Sequence, residues 1–398
     1  MKVIIAVDSF KGSLSSMDAG TAIRDGILLA KPAAEVIVKP LADGGEGTVD
    51  ALIEGLGGRK VPLTVTGPMG NPVNCYYGML DAGITTDESF GKRKTAVMEM
   101  ASAAGITLVP DEQKNPLIAT TYGVGEMILH AAENGCRDFI IGIGGSATND
   151  GGIGMLKALG FSFLDKDGCD VGEGGQALEK IASIDASIVN SNISSCNFKI
   201  ACDVTNPLCG ENGATFIYGP QKGVTEEMKL FLDKGMENYA RVAGPDFSNY
   251  PGAGAAGGLG FAFLSFLNAQ LVPGVELILD AIGLEAALQE NVASLQEKIT
   301  SLHENAHSLV VVTGEGRLDH QTAMGKAPVG VARLAKKYGA TVIAFAGSVT
   351  DDARECNMAG IDAFFPIIRE ITTLDEAMKP ETARKNLCLT ADQVFRLL

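Results

Sequence analysis

The stretch SLVVVTGEGRLDHQTAMGK (308–326) decides how the chain is read. Its opening run, apolar and β-branched without alternation, predicts a strand buried on both faces, as in a parallel sheet. The run ends in Gly314-Glu315-Gly316, followed by Asp319 and Lys326. The glycines suggest a phosphate loop, but neither Gly-Lys pair (91–92, 325–326) has the spacing of a Walker A motif. The carboxylates would moreover repel an anion.

Six further runs share this texture and end in Gly, Asp, Ser or Pro-containing turns: KVIIAVDS (2–9), EVIVKPLADGG (35–45), DFIIGIGGS (138–146), FKIACDV (198–204), TVIAFAGS (341–348) and AFFPII (363–368). Helical patterns such as SMDAGTAIRDGILLAK (16–31) and APVGVARLAKKYG (327–339) separate many of them, which predicts α/β units and largely parallel sheets. The first two strands and the last three have βαβ spacing, whereas a long interval of different texture lies between them. That interval holds extended segments (VPLTVTGPMGNPVNCYYGML, KRKTAVMEM) and a glycine-dense stretch, NYPGAGAAGGLGFAF. The expected architecture is α/β with two domains. A flavodoxin-like or Rossmann-like parallel-sheet domain is built from residues 1–65 and 285–398, and a second α/β domain, 66–284, is inserted into it.

In the flavodoxin-like order 2-1-3-4-5 the switch point falls between the first strand and SLVVVTGEG, and ligands sit at the carboxyl ends of strands beside such a point. The loops gathered there are DSFKGS (8–13), LADGGEG (41–47) and TGEGRLD (313–319). They bring Asp8, Asp43 with Glu46, and Glu315 with Asp319 among glycines. Turns and helix caps use the same residue types. As a set, however, they suit an anion approached by backbone N–H groups, with a divalent cation between it and the carboxylates. Phosphoryl transfer needs such a metal, cations on the phosphates and a carboxylate base. Lys11, Arg317 and Lys326 are the available cations.

The inserted segment has its own glycine loop, GIGGSATNDGGIGMLKALG (142–160). Gly142 to Ala147 matches the dinucleotide fingerprint G-x-G-x-x-A, which makes an NAD-dependent sugar-acid oxidoreductase the alternative enzyme reading. Thr148 to Gly152 prolongs the loop where a helix should already run, and FSFLDKDG beyond it reads as a hairpin. A loop holding phosphate or carboxylate oxygens fits better. ACDVTNPLCGENGA (201–214) offers Asp203 as metal ligand, base or turn residue. Thr120 and Thr121 precede a helical pattern, as caps or substrate contacts.

Bulk properties exclude other classes. The net charge of −16 leaves no basic stripe for nucleic acid, and no run approaches a membrane span. The start MKVIIAVDSFKGS reads as a first strand rather than a signal peptide. The eight cysteines contain no C-x-x-C and indicate reduced thiols in a cytoplasmic protein. His303 and His307, four apart, offer a metal pair or, more simply, a solvated helix face.

DSFKGSLSS, PLADGGEGT, IGIGGSATNDGG, ACDVTNPL and VTGEGRLD, in this order, closely resemble the bacterial type-1 glycerate kinases (glycerate 2-kinases) over nearly the whole chain. The resemblance implies MgATP-dependent phosphorylation of D-glycerate, in many members at the 2-hydroxyl, by two α/β domains with the active site in the cleft between them. The alternative product is 3-phosphoglycerate; a two-domain binding or sensor protein is the non-enzyme reading. On this basis the expected partners are ATP, Mg²⁺ and D-glycerate, without nucleic acid or membrane, in a monomer or homodimer. Glycerate is placed between Asp8, Ser9 and Lys11 on one side and Asp43, Gly44, Gly45 and Glu46 on the other. The nucleotide is placed on Gly144, Gly145, Ser146, Thr148 and Asn149, with Gly314 and Gly316. Asp203, Glu315 and Asp319 compete for base and metal roles, with Asp203 the first choice for base and Glu315 and Asp319 for metal. Asp8 and Lys11 complete the catalytic set.

Overall fold

The computed structural model describes residues 1–81, 93–302 and 309–398; His303 and His307 lie outside them. In chain order the strands are β1 (Lys2–Val7), β2 (Glu35–Pro40), β3 (Gly58–Thr66), β4 (Pro72–Leu80), β5 (Lys94–Glu99), β6 (Cys136–Gly142), β7 (Ser162–Leu164), β8 (Ser183–Asp185), β9 (Asn197–Ala201), β10 (Gln270–Val272), β11 (Leu309–Leu318), β12 (Thr341–Val349) and β13 (Ala363–Pro366). The chain divides into two compact units, Met1–Asp43 with Asp50–Gly57 and Val275–Leu398, and Gly44–Val49 with Gly58–Gly274.

The first unit is a five-stranded sheet in the order β13-β12-β11-β1-β2, every pair parallel. Counted within the unit this is the expected order 2-1-3-4-5. β1 is buried along its whole length because helices cover the sheet. On one face the helices Ser16–Ala30 and Pro380–Phe395 pack on Val3, Ile5, Val310 and Phe345. The two helices approach so closely that a Cβ on Gly26 would lie 2.1 Å from the Cys388 carbonyl. Helix Ser16–Ala30 begins at Ser15, whose hydroxyl accepts from Asp18 N–H. The next hydroxyl, Ser16 Oγ, donates to Val7 O and accepts from Leu41 N–H, each at 2.8 Å. One side chain thus ties together the ends of β1 and β2, from which Asp8 and Asp43 emerge.

The second unit is a six-stranded sheet, β10-β9-β6-β5-β4-β3. β3 and β4 form a hairpin antiparallel to each other, β5 runs antiparallel to β4, and the remaining pairs are parallel. The hairpin carries residues 58–66 into this sheet, so the unit begins earlier than residue 66. The Gly44–Val49 segment also belongs to it: a Cβ on Gly44 would meet Ala201 and Gly274 at 2.9 Å, and Val49 N–H donates to Glu99. At the other junction, Val275–Ala281 belongs with the first unit, where the added Cβ of Gly330 would lie 2.2 Å from Val275. The FSFLDKDG segment turns back on itself, with a bridge between Leu164 and Asp170 and both Asp167 N–H and Cys169 N–H on Asp165 Oδ1. Among the described residues no helix is long and apolar enough to cross a membrane, and the eight cysteines are free.

Candidate active site

A cavity of about 620 Å³ opens at the carboxyl ends of the strands in the first unit. The turn after β1 contributes Asp8, Ser9, Phe10, Lys11 and Ser13, and the segment after β2 contributes Asp43. β11 contributes Glu315, Gly316, Arg317 and, just beyond it, Asp319, while β12 contributes Gly347 and Ser348. The turn is tight: Ser13 N–H and Leu14 N–H both donate to Phe10 O, and Gly12 takes the left-handed conformation (φ 77°) that the reversal needs. β11 is held close to β1 by Asp8 N–H donating to Gly314 O. A Cβ on Gly314 would lie 2.0 Å from Phe345 O, and one on Gly347 would lie 2.6 Å from Gly316 O. These glycines are therefore packing requirements of three neighbouring strands. Gly314 is buried, whereas Gly316 lines the cavity.

The carboxylates share one electrostatic environment. Burial pushes the Asp8 carboxyl from its ordinary 3.8 up to about 7, and the negative charges of Asp43 and Glu315 push the same way. A 2.6 Å hydrogen bond from Ser9 N–H and the charge of Lys11 oppose this without cancelling it. Glu315 is also raised, by burial first, with the Asp319 and Asp43 charges adding to it. Thr322 Oγ donates to Glu315 Oε1 at 2.6 Å and accepts from Asp319 N–H at 3.2 Å. Asp319 Oδ1 accepts from Gln321 N–H and Thr322 N–H, making Asp319 the N-cap of the turn His320–Ala323. Lys11 Nζ lies 3.8 Å from Asp43 Oδ2, and Arg317 Nε lies 3.4 Å from Asp319 Oδ2. Buried carboxylates that repel one another are stabilised by any cation placed among them.

The second unit presents the 142–152 loop after β6. Gly144 and Gly145 are exposed, while Ser146, Thr148, Asn149 and Asp150 are buried. Helix formation starts only at Ile153, which removes the geometry of a dinucleotide fingerprint. Beneath the loop, Lys222 Nζ donates to Ser146 Oγ at 2.5 Å and to Thr148 O at 2.7 Å, and Asn149 Nδ2 donates to Thr215 Oγ1 at 3.0 Å. The fully buried Asp150 accepts from Thr121 N–H, Thr121 Oγ, Gly152 N–H and Gly154 N–H. The glycine-dense stretch explains itself here. A Cβ on Gly257 would lie 2.1 Å from Thr148 O, and Gly151 N–H donates to Gly257 O. Asp203, at the end of β9, is exposed and accepts from Gly274 N–H at 2.8 Å. Thr121 supports Asp150 and accepts from Met155 N–H, so it caps the helix Ile153–Ala158 rather than its own. Thr120 Oγ donates to Glu173 and accepts from Tyr122 N–H.

The glycerate kinase family model matches residues 3–398. The chain belongs to the glycerate kinase family. It is 44% identical over 402 residues to glycerate 2-kinase of Escherichia coli (strain K12), covering 100% of this chain and 98% of that one. It is 44% identical over 383 residues to glycerate kinase of Bacillus subtilis (strain 168), covering 95% and 93%. A crystal structure from Salmonella typhimurium LT2 assigned as glycerate kinase 2 superposes with a TM-score of 0.84 at 44% identity, over 99% of this chain and 97% of that one.

As a member of this family the protein is a kinase. Of the residues expected from sequence, the first-unit cavity gathers Asp8, Ser9, Lys11, Asp43, Glu315, Gly316 and Asp319. Gly44, Gly45, Glu46, Asp203 and the 144–149 loop belong to the second unit. Thr148 and Asn149 have no exposed surface and support the loop from within. Lys222 carried no sequence signal, because it sits in an ordinary Gly-Pro-Gln-Lys-Gly turn. Asp150 lies inside a stretch that stood out, but its four backbone and hydroxyl donors come together only through tertiary packing. Among the described residues no three His, Cys, Asp or Glu side chains are grouped to hold a metal by themselves.

Proposed function

We propose that the protein transfers the γ-phosphoryl group of MgATP to the 2-hydroxyl of D-glycerate, giving 2-phosphoglycerate and ADP. The observation that carries this reading is the first-unit cavity, where a buried carboxyl with a pKa near neutrality shares the lining with three further carboxylates and three cations. The glycerate hydroxyl oxygen attacks the γ-phosphorus, the bond to the β,γ-bridging oxygen breaks, and the hydroxyl proton passes to a carboxylate. Asp8 is the proposed acceptor, because a general base works best with a pKa near the operating pH. Asp203 is the second reading, favoured by its exposed carboxylate at a strand end. Lys11, Arg317 and Lys326 neutralise charge on the glycerate carboxylate and the transferring group. Mg²⁺, when bound, supplies charge neutralisation on the phosphate oxygens. Glu315 and Asp43 are the carboxylates proposed to hold it, since Asp319 already spends one oxygen on a helix cap.

The exposed Gly144–Gly145 turn is the proposed contact for a second anionic group, phosphate or carboxylate. We further infer a cytoplasmic monomer or homodimer. The choice of O2 is supported by the similarity to glycerate 2-kinase of Escherichia coli, and 3-phosphoglycerate is the competing product. Incubation with D-glycerate and MgATP followed by ³¹P NMR tests both points. A phosphorus signal split by one proton is expected; a signal split by two protons means transfer to O3. No metal-dependent ADP release from folded protein overturns the kinase reading with glycerate.

A further inference from the structure

The cavity is larger than glycerate needs and is lined unequally. Roughly 300–1,000 Å³ is the range of clefts that bury drug-sized ligands, and about 620 Å³ is far more than a three-carbon hydroxy acid fills. Away from the carboxylates its wall is aliphatic and aromatic: Phe10, Ile367, Ile368, Leu374, Ala377 and Met378. Glycerate is polar on every face and gains nothing from such a wall. Ile368 and Leu374 stay 41% and 75% exposed, a cost in water that a bound apolar surface would relieve. Met378 is fixed against the turn after β1, where a Cβ on Gly12 would come within 3.1 Å of its methyl carbon. In that same turn Ser13 lines the cavity, and its buried hydroxyl has no hydrogen-bond partner among the described residues. A planar, largely apolar ring with hydrogen-bonding edges matches both features.

We infer that this cavity seats the adenine of the nucleotide, with the ring between the 367–378 segment and the turn after β1, its edge on Ser13, and the phosphates running toward Lys11, Arg317 and Lys326. The inference rests on the use of MgATP proposed above and moves the nucleotide from the 144–149 loop of the second unit to the first. Polar groups placed in a largely apolar pocket fix orientation while the wall supplies affinity, so one charge on the wall should be enough to expel the base.

Titration calorimetry with MgADP on the full-length protein, with KM values for ATP and D-glycerate alongside, tests the seat. Leu374→Asp and Ile368→Asp are each expected to weaken MgADP tenfold or more and raise the KM for ATP, leaving the KM for D-glycerate within twofold. Ile371→Asp, on the same segment but outside the cavity lining, should match the wild type. Wild-type affinity for MgADP in both cavity variants overturns the seat, even where glycerate phosphorylation is normal. Wild-type protein that binds MgADP, loses it in these variants and never phosphorylates glycerate keeps the seat and sinks only the acceptor.

Discussion

Two loops end parallel strands in this molecule, and they use their titratable groups in opposite ways. After β1 the chain delivers Asp8 to a cavity wall, next to Asp43 and Glu315, where we propose that it takes up the substrate's proton. After β6 the chain buries Asp150 and Lys222 under the loop, spends them on backbone and hydroxyl partners, and leaves only glycine backbone exposed. Both loops mix glycine with Asp and Ser, the second adding Thr and Asn. The difference lies in what packs behind each. The first lies at the carboxyl ends of neighbouring strands with its side chains on a cavity wall, and the second is backed by a glycine stretch that admits the loop's own carbonyls at short range. Under the proposed function, a carboxylate in such a loop is chemistry in one setting and scaffold in the other.

The sharpest way to break that contrast is at Asp8. Removing a general base costs about 10²–10⁴ in rate, and Asp8→Asn is expected to lower kcat within that range while the folded structure persists by circular dichroism. Asp203→Asn should cost tenfold or less if Asp8 is the base. A loss of two orders of magnitude or more at Asp203, with Asp8→Asn near normal, would transfer the role to the second unit.

Asp150 is the counterpart, with its effect on stability. In Asp150→Ala the N–H groups of Thr121, Gly152 and Gly154 lose their shared acceptor inside the unit. A buried donor left unpaired costs roughly 1–3 kcal/mol, so the variant should lose about 3 kcal/mol or more in urea unfolding. Asp150→Ala protein that keeps the wild-type midpoint would mean that the loop relaxes freely and the scaffold reading is wrong.

Much of this contrast was legible before the structure. Runs such as VIIAV and LVVV are unbroken by polar residues, so their burial and parallel pairing follow from pattern alone. The order of the first-unit strands follows from spacing and the switch-point rule, and with it the meeting of Asp8, Asp43 and Glu315. Asp319 hid its structural task because its capping partner is Thr322, where the familiar signature has Glu or Gln. Thr148 and Asn149 look like phosphate ligands in SATNDGG, yet they are buried because Gly257 and Gly258 let the chain lie directly behind them. Ala256 adopts φ 52° there, a conformation no local propensity favours. Contacts between segments a hundred residues apart leave no periodic trace, so the buried network under the second loop had to be seen.

The smallest expected effect separates the two buried groups by pH. Asp8 has a folded pKa raised to about 7, so the folded state binds its proton more tightly than the unfolded chain does. That contribution is fully present below the ordinary carboxylate range and is lost as pH rises through 7. Lys222 is the reverse: burial lowers its ammonium from 10.5 to about 7, despite the opposing charge of Asp150. Its contribution is fully present only above 10.5 and is lost as pH falls through 7. Asp8→Asn should therefore gain on the wild type between pH 4 and 7 and keep that gain above 7, about 0.5–2 kcal/mol being common for a single stabilising substitution. Lys222→Met should gain on the wild type as pH falls from 10 to 7, offset by a pH-independent loss of the Ser146 and Thr148 hydrogen bonds. Difference profiles of thermal midpoints, variant minus wild type, read the two slopes directly, because groups common to both proteins cancel. Opposite slopes meeting near pH 7 are expected; a flat Asp8 profile would mean that its carboxylate is already well accommodated in the empty cavity, and the case for Asp8 as a base poised at neutrality would fall with it.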